Sequence, residues 1–204
     1  MKNSVTVTRK TTESYINVTL TQGALDKDYR SKIDTSIPFL NHMIEHIVYR
    51  SGINLALDIK LDKFHLTHVI AEDIGITIGR AIAEFVSQNQ PTGFGDAVAI
   101  IDEAKASAAI SFESRSLFDF SSLADFDCEI EGMYTDDLLT FLEGISQGAN
   151  CTLHVDIVKG KNGHHIFEAA FRAVGSALGR ALYTDPERAG LTAGVAGKVN
   201  YEVK

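Results

Sequence analysis

Hydrophobic and polar residues alternate over the opening part of the chain, and the spacing then changes to every third or fourth residue. Alternation is typical of a strand with one buried face, and the longer spacing is typical of an amphipathic helix. In the first half, the pattern predicts strands over 5–11, 14–20, 31–35 and 53–59. It predicts helices over 38–49 and 67–86. The turn-forming residues at 88–93 (QNQPTG) end this half.

The second half repeats the same order of elements. Its predicted strands cover 97–102, 106–112, 126–131 and 151–158, and its predicted helices cover 136–146 and 163–182. We therefore predict an α+β fold of two duplicated half-domains, 1–90 and 91–184, followed by a surface tail, 185–204. Each half is a mixed sheet with two helices on one face. Packing the four helices between the two sheets buries both apolar faces.

A pair of possible metal ligands occurs once in each half. His68 precedes Glu72 by four residues, and His164 precedes Glu168 by the same step. Residues four apart stack on one helix face, so each pair presents an imidazole and a carboxylate to a single divalent ion. His165 points about 100° away from His164 and is positioned to serve a second ion. The offset between the two motifs is 96 residues (164 − 68), which predicts a duplicated metal site.

Composition narrows the class of protein. The net charge of −8 argues against a nucleic-acid groove, which needs clustered Lys and Arg. Cys128 and Cys151 stand outside any CxxC motif, and we expect both to be small buried residues in a reducing compartment. The sequence has no apolar run near 18 residues and no basic, apolar leader, so we expect a cytoplasmic protein with no membrane partner.

The histidines strengthen the metal hypothesis when they are considered together. An isolated histidine is more often structural than a ligand, but here several lie at helical spacing beside glutamates. The seven are His42, His46, His65, His68, His154, His164 and His165. Imidazole and carboxylate without thiolate suit Mn, Fe, Co, Ni or Zn, and the residue types do not select among these metals.

Several segments, in order, resemble one known family. FLNHM, HVIAEDIGITIG, TLH and GHHIFEAAFR carry the resemblance, and TTES, IIDEA and ESRSLF extend it over nearly the whole chain. Together they resemble imidazoleglycerol-phosphate dehydratase of histidine biosynthesis, which converts imidazoleglycerol phosphate to imidazoleacetol phosphate and water. The resemblance implies tandem half-domains, a 24-subunit homo-oligomer, and two manganese ions bound between neighbouring subunits.

The resemblance also implies roles for individual residues. The implied metal ligands are His42, His68, Glu72, His154, His164, His165 and Glu168. Val69 stands where the family has a further histidine, so one ion is expected to keep its ligands. The other ion is expected to recruit water, His65, His46 or nothing. The implied acid/base residue is Glu13 of TTES, with His46 as a second catalytic candidate.

The implied phosphate site departs from the family pattern. Arg115 matches a family cation, Arg172 replaces a lysine, and Arg50 replaces a histidine. Gly93 and Ala193 stand where the family has cations, and Lys198 is an alternative for the second. Each lost charge-assisted bond weakens phosphate binding by about 1.5–3 kcal/mol.

Two functions remain open at this point. One is the dehydratase, and the other is a repurposed paralogue with a different substrate or a purely structural interface metal. Individual residues also have structural alternatives: Glu13 as an exposed turn residue, and His46 as a ligand, a base or a helix-surface residue. We expect Asp73, Glu84 and the charges of 185–188 to be solvated or to contact helix ends.

Overall fold

The computed structural model describes residues 4–61, 65–188, 190–195, 197 and 202. The first half forms an antiparallel sheet in the order β1, β2, β3, with two helices. Its elements are β1 (Ser4–Lys10), β2 (Ser14–Gln22), α1 (Pro38–Ser51), β3 (Ile53–Leu61) and α2 (Thr67–Asn89). Pro38 begins α1, where a missing N–H costs nothing, and Gly52 ends it in the left-handed conformation.

The second half forms a four-stranded sheet in the order β4, β5, β9, β6, with β6 parallel to β9 and the other pairs antiparallel. A two-stranded hairpin, β7 and β8, precedes its first helix. The elements are β4 (Phe94–Ile101), β5 (Ala104–Ser111), β6 (Leu117–Ser122), β7 (Glu129–Ile130), β8 (Met133–Tyr134), α3 (Thr135–Ala149), β9 (Thr152–Lys159) and α4 (Gly163–Ala181). Short 3₁₀ turns lie at Tyr29–Lys32 and Pro186–Arg188.

The helices occupy the space between the two sheets. Helix α2 packs on β1 and β2, helix α4 packs on β4 and β5, and the pairs α1/α4 and α2/α3 join the two halves. Phe85, Phe141, Phe167 and Phe171 are fully buried in this layer. The predicted α+β fold with four helices between two sheets is confirmed. The second sheet is mixed as predicted, but the first is antiparallel, because 31–35 contributes one parallel bridge instead of a strand.

Two predicted strands were wrong. The 3₁₀ turn Tyr29–Lys32 covers the first two residues of 31–35, and a single parallel bridge from Ile33 to Leu57 replaces the strand. The segment 126–131 contributes only the two residues of β7, whereas the fourth strand of the second sheet is β6 at 117–122. Segments 117–122 and 126–131 both alternate in hydropathy. Pairing with β9, which is distant in the sequence, makes 117–122 the strand.

Helices α2 and α3 cross at a site built from glycines. Cβ atoms added at Gly75 and Gly79 would lie 2.3 Å from the carbonyl oxygens of Phe141 and Ile145. A Cβ atom added at Gly148 would lie 2.1 Å from the carbonyl oxygen of Ile76. Gly175, 96 residues after Gly79, plays the same part where α4 meets Ile47 of α1. The repeated glycine therefore marks two close helix crossings.

Replacing Gly148 with Ala is expected to destabilise the fold by about 3 kcal/mol, because backbone on both sides of the crossing must move apart. This strain outweighs the gain in helix propensity of about 1 kcal/mol. The measurement is the midpoint of urea unfolding followed by circular dichroism. Ser87→Ala, at an exposed position of α2, is the matched control and should change stability little. Equal midpoints for the two variants would contradict the close crossing.

The structure corrects the expectation that both cysteines are buried. Cys151 is buried as expected, but Cys128 is exposed, and both are free thiols.

Within the described residues, no helix combines the length and the apolar character needed to cross a membrane. Lys198 lies outside the described residues.

Candidate metal centre

The start of α4 sets the direction of its two histidines. The side-chain oxygen of Asn162 caps the helix by accepting the backbone N–H groups of His164 and His165, at 2.9 and 3.4 Å. One helical turn later, Glu168 lies on the same face as His164, with His164 Nε2 3.4 Å from Glu168 Oε2. The second HxxxE motif therefore forms the predicted imidazole and carboxylate pair.

Helix α1 adds a third donor to this pair. His42 Nε2 lies 3.6 Å from Glu168 Oε2, and the rings of His42 and His164 are 5.3 Å apart between centroids. Among the residues that the structure describes, His42, His164 and Glu168 form the one group of three donors close enough to share an ion. Two imidazoles and one carboxylate suit a divalent transition metal. Glu168 is only 5% exposed, and an unpaired carboxylate is costly at such a position.

The other oxygen of Glu168 is held by protein cations and donors. The guanidinium of Arg172 donates to Glu168 Oε1, and His46 Nε2 lies 3.2 Å from the same oxygen. Burial raises the pKa of Glu168, but His46, Arg172 and the other neighbouring rings outweigh it, so the pKa is lowered overall. Glu168 is therefore ionised at neutral pH, with Oε2 directed towards His42 and His164.

His46 lies on the inner side of α1, so it is not a solvent-facing helix residue. Its side chain is 16% exposed. Burial lowers the pKa of His46 to about 4, and the attraction of Glu168 only partly opposes this shift. The ring is neutral at pH 7 and is able to donate one hydrogen bond to Glu168.

The remaining predicted ligands lie outside this three-donor group. His68 Nδ1 is hydrogen-bonded to Asp137 of α3 at 3.2 Å, and His154 Nδ1 lies 3.2 Å from Asp119 of β6. Glu72 is half-buried on α2. The first HxxxE motif therefore differs from the second, because the ring of His68 faces a carboxylate from the other half of the chain.

His165 is paired with Glu103 of the β4–β5 turn. Its Nδ1 lies 2.9 Å from Glu103 Oε2, and this hydrogen bond raises the pKa of His165. The backbone N–H of Asn162 and the His165 ring together lower the pKa of Glu103 to about 2. Glu103 is therefore a carboxylate that joins the turn to the start of α4.

Glu13 lies beside the first motif. It is exposed at the turn between β1 and β2, where its backbone N–H donates to Thr11 Oγ1 at 3.1 Å. A small cleft next to it is lined also by Val69 and Asp73. Val69, which stands where the family has a histidine, therefore lies at the same cleft as Glu13.

Asp73 corrects an expectation, because it is not a solvated charge. It is 5% exposed, forms an ion pair with Arg9 at 2.5 Å and accepts a hydrogen bond from Ser14 at 2.9 Å. The carboxylate ties β1 and β2 to α2. Glu84, in contrast, forms the expected exposed pair with Arg80, one turn away on the same helix.

Two of the predicted substrate cations are already paired with carboxylates. Arg115 is exposed and donates to Glu113 Oε2 at 2.7 Å, while Arg172 binds Glu168. Arg50 is exposed at the end of α1. Arg115 and Arg172 therefore each already have a carboxylate partner within the chain.

The two positions of lost cations are neighbours in space. A Cβ atom added at Gly93 would lie 2.4 Å from the Cβ of Ala193. Small residues at both positions allow the tail to contact the start of β4. A side chain as long as arginine or lysine at either position would have to project away from this contact.

The carboxylates that face the ring nitrogens were missed in the sequence. Asp119, Asp137, Glu131 and Glu103 each lie beside a histidine that the sequence singled out. Glu103 lies in IIDEA, a segment that carried the family resemblance, but its partner did not follow from that motif. The pairings join residues 33–69 positions apart, a separation that helical or strand periodicity does not reveal.

The chain matches one family model, described as imidazoleglycerol-phosphate dehydratase, over residues 35–178. A curated imidazoleglycerol-phosphate dehydratase from Neisseria gonorrhoeae is 36% identical over 196 residues, which is 95% of this chain and 63% of that protein. This chain thus spans less than two thirds of that relative. A dehydratase of the same name from Thioalkalivibrio sulfidiphilus is 31% identical over 95% of this chain and 96% of its own length.

Solved structures with the same name share the fold. The imidazoleglycerol-phosphate dehydratase from Staphylococcus aureus superposes with a TM-score of 0.74 at 26% identity, covering 89% of this chain and 99% of that chain. The dehydratase from Pyrococcus furiosus, solved in complex with (S)-C348, gives a TM-score of 0.74 at 28% identity, covering 95% of this chain and all of that chain.

Proposed function

This chain belongs to the imidazoleglycerol-phosphate dehydratase family, and on that premise we propose that it is a metal-dependent hydro-lyase of histidine biosynthesis. It removes water from imidazoleglycerol phosphate and releases imidazoleacetol phosphate. The observation that carries the proposal is the group of His42, His164 and Glu168, which brings two imidazoles and an ionised carboxylate together on α1 and α4.

We propose manganese as the metal, with one or two ions per subunit, and other divalent transition metals as possible substitutes. The full set of proposed ligands is the set that the resemblance implied: His42, His68, Glu72, His154, His164, His165 and Glu168. Donors outside the three-residue group are completed, in this proposal, by neighbouring copies in a 24-subunit homo-oligomer. The outer side of β4 supports such contacts, because Phe94, Val98 and Ile100 are each more than half exposed there.

An ion held by His42, His164 and Glu168 would supply Lewis-acid polarisation of the substrate imidazole. Glu13 accepts the proton that the substrate carbon loses and returns it to the departing hydroxyl group, which leaves as water. Its exposed position beside Val69 and the first motif supports this role. His46, a predicted catalytic residue, holds Glu168 Oε1 together with Arg172. Its contribution is to keep Oε2 directed towards the ion.

Arg115 is the proposed anchor for the substrate phosphate, with Arg50 and Arg172 as further cations. The exposed pair of Arg115 with Glu113 contributes little free energy, so a dianionic phosphate competes well for the guanidinium. Both cysteines are free in the structure, which suits a reducing cytoplasm as the proposed location.

A second function is favoured by one specific observation. Gly93 and Ala193 are in contact where the family has cations, and the Glu113 carboxylate lies against Gly194 beside Arg115. A carboxylate at this place opposes phosphate binding. The alternative is therefore a repurposed paralogue that acts on an imidazole alcohol without phosphate, or that retains only a structural metal.

A turnover assay distinguishes these proposals. With Mn²⁺ and imidazoleglycerol phosphate, we expect activity that a chelator removes and that added Mn²⁺ restores. Arg115→Gln should raise KM for this substrate about 10–100-fold, because a charge-assisted bond of about 1.5–3 kcal/mol is lost. Arg180→Gln, an exposed arginine near the end of α4, is the control.

The same assay with imidazoleglycerol lacking phosphate tests the alternative. Preference for that substrate, or metal binding without turnover of either, would contradict the dehydratase and support repurposing. Metal counting per subunit then separates one retained ion from two.

A further inference from the structure

Three histidines make the same hydrogen bond at the same ring nitrogen. Nδ1 of His68 is bonded to Asp137 at 3.2 Å, Nδ1 of His164 to Glu131 at 3.1 Å, and Nδ1 of His165 to Glu103 at 2.9 Å. An ionised carboxylate only accepts hydrogen bonds, so each Nδ1 must carry the hydrogen. In a neutral ring, Nε2 then holds the free lone pair.

The arrangement at His164 connects this hydrogen bond to the three-donor group. Its Nδ1 faces Glu131 while its Nε2 faces Glu168 Oε2, so the ring lies between the two carboxylates. Metal-bound imidazoles commonly donate their second N–H to a carboxylate, which fixes the tautomer and orients the ring.

One short segment supplies the carboxylate partner of one histidine from each half of the chain. Glu131 forms the turn of the β7–β8 hairpin, and Asp137 lies in the first turn of α3, six residues later. Asp137 is 7% exposed, and its ion-pair partner His68 comes from α2 of the first half. The two HxxxE motifs, 96 residues apart, therefore share a single orienting segment, 131–137.

Glu131 has a backbone conformation that favours glycine, so its side chain is not needed for the local fold. Its φ of +51° lies in the left-handed region that disfavours side chains, and its side chain is 59% exposed. The residue contributes little burial, and glycine would fit this backbone better. Its described side-chain contact is the one with His164.

We propose that Glu131 and Asp137 are positioning residues that hold His164 and His68 as Nδ1–H tautomers, with Nε2 presented to the metal, and that Glu103 does the same for His165. The residues do not touch the ion. They act through the rings, and the inference rests on the proposed metal function for its effect on affinity. The tautomer itself is a property of the chain alone.

The first test measures metal affinity by competition with a chromogenic chelator. Glu131→Gln and Glu131→Gly should each raise the dissociation constant for Mn²⁺ about 10–100-fold. Thermal unfolding of the Glu131→Gly variant should stay close to that of the unmodified protein, because the left-handed backbone suits glycine. Glu129→Gln, an exposed glutamate in the same hairpin, is the matched control and should leave affinity unchanged. Unchanged affinity in both Glu131 variants would overturn the positioning role.

The second test needs no metal. Long-range ¹H–¹⁵N spectra of metal-free protein with ¹⁵N-labelled histidine should show His164 as the Nδ1–H tautomer, assigned through its loss in His164→Asn. Glu131→Gln should shift this signal towards the Nε2–H form. An Nε2–H signal for His164 in the unmodified protein would overturn the inference. If the unmodified protein binds no divalent ion, the proposed function fails while this spectrum still decides the tautomer.

Asp137→Asn extends the measurement to the other motif. The same spectra should show a tautomer change at His68 and none at His164. A change at both rings, or at neither, would contradict separate positioning by the two carboxylates.

Discussion

Replacing Glu168 with Gln is expected to remove metal binding by the three-donor group and, with it, turnover. The carboxylate faces both His42 and His164 through Oε2, so it is the donor that the group shares. Loss of an outer partner typically costs 10–100-fold in affinity, and loss of a direct ligand should cost more than about 100-fold. The measurement is the Mn²⁺ dissociation constant, with kcat for imidazoleglycerol phosphate measured in parallel.

In the Glu168→Gln variant, Arg172 and His46 lose their anionic partner, so a control must show that the variant still folds. Circular dichroism and thermal unfolding will establish that the Glu168→Gln chain is folded at the assay temperature. Glu143→Gln, an exposed glutamate of α3, should change neither affinity nor kcat. Full occupancy and turnover in a folded Glu168→Gln protein would exclude this group as the metal centre.

Replacing Asp73 with Ala is expected to destabilise the fold by about 3–5 kcal/mol, because the change leaves Arg9 without its buried partner. The Ser14 hydroxyl also loses its acceptor, so the contacts that hold β1 and β2 against α2 are weakened. The measurement is the urea midpoint at constant protein concentration. That precaution matters because assembly makes apparent stability depend on concentration.

Glu84→Gln provides the comparison for Asp73, because it breaks an exposed ion pair on the same helix. Such a pair contributes about 0.3–0.5 kcal/mol, so the midpoint should hardly move. The double variant Arg9→Met, Asp73→Leu should recover much of the lost stability, since apolar replacements avoid an unpaired buried charge. Similar midpoints for the Asp73 and Glu84 variants would contradict the structural role of Asp73.

Local patterns account for much of the fold. The four helices and the strands β1, β2, β3, β4, β5 and β9 were predicted within a few residues, because hydropathy periods of two and near 3.6 are visible in short windows. The strand β6 was missed, because 117–122 and 126–131 both alternate and only pairing with β9 distinguishes them. The burial of Asp73 was missed for a similar reason, since its partner Arg9 lies 64 residues earlier.

The sequence by itself determined the duplication, the α+β class, the family and the histidines and glutamates available to a metal. Each of these follows from spacing, composition or ordered motifs along the chain. The tertiary structure alone decided which of the implied ligands lie together, namely His42 with His164 and Glu168. It also decided that a carboxylate distant in the sequence faces Nδ1 of His68, His164 and His165. The physical reason is that a hydrogen bond or a shared ligand depends on distances of a few ångströms between separate elements. Packing of the helices between the two sheets sets those distances.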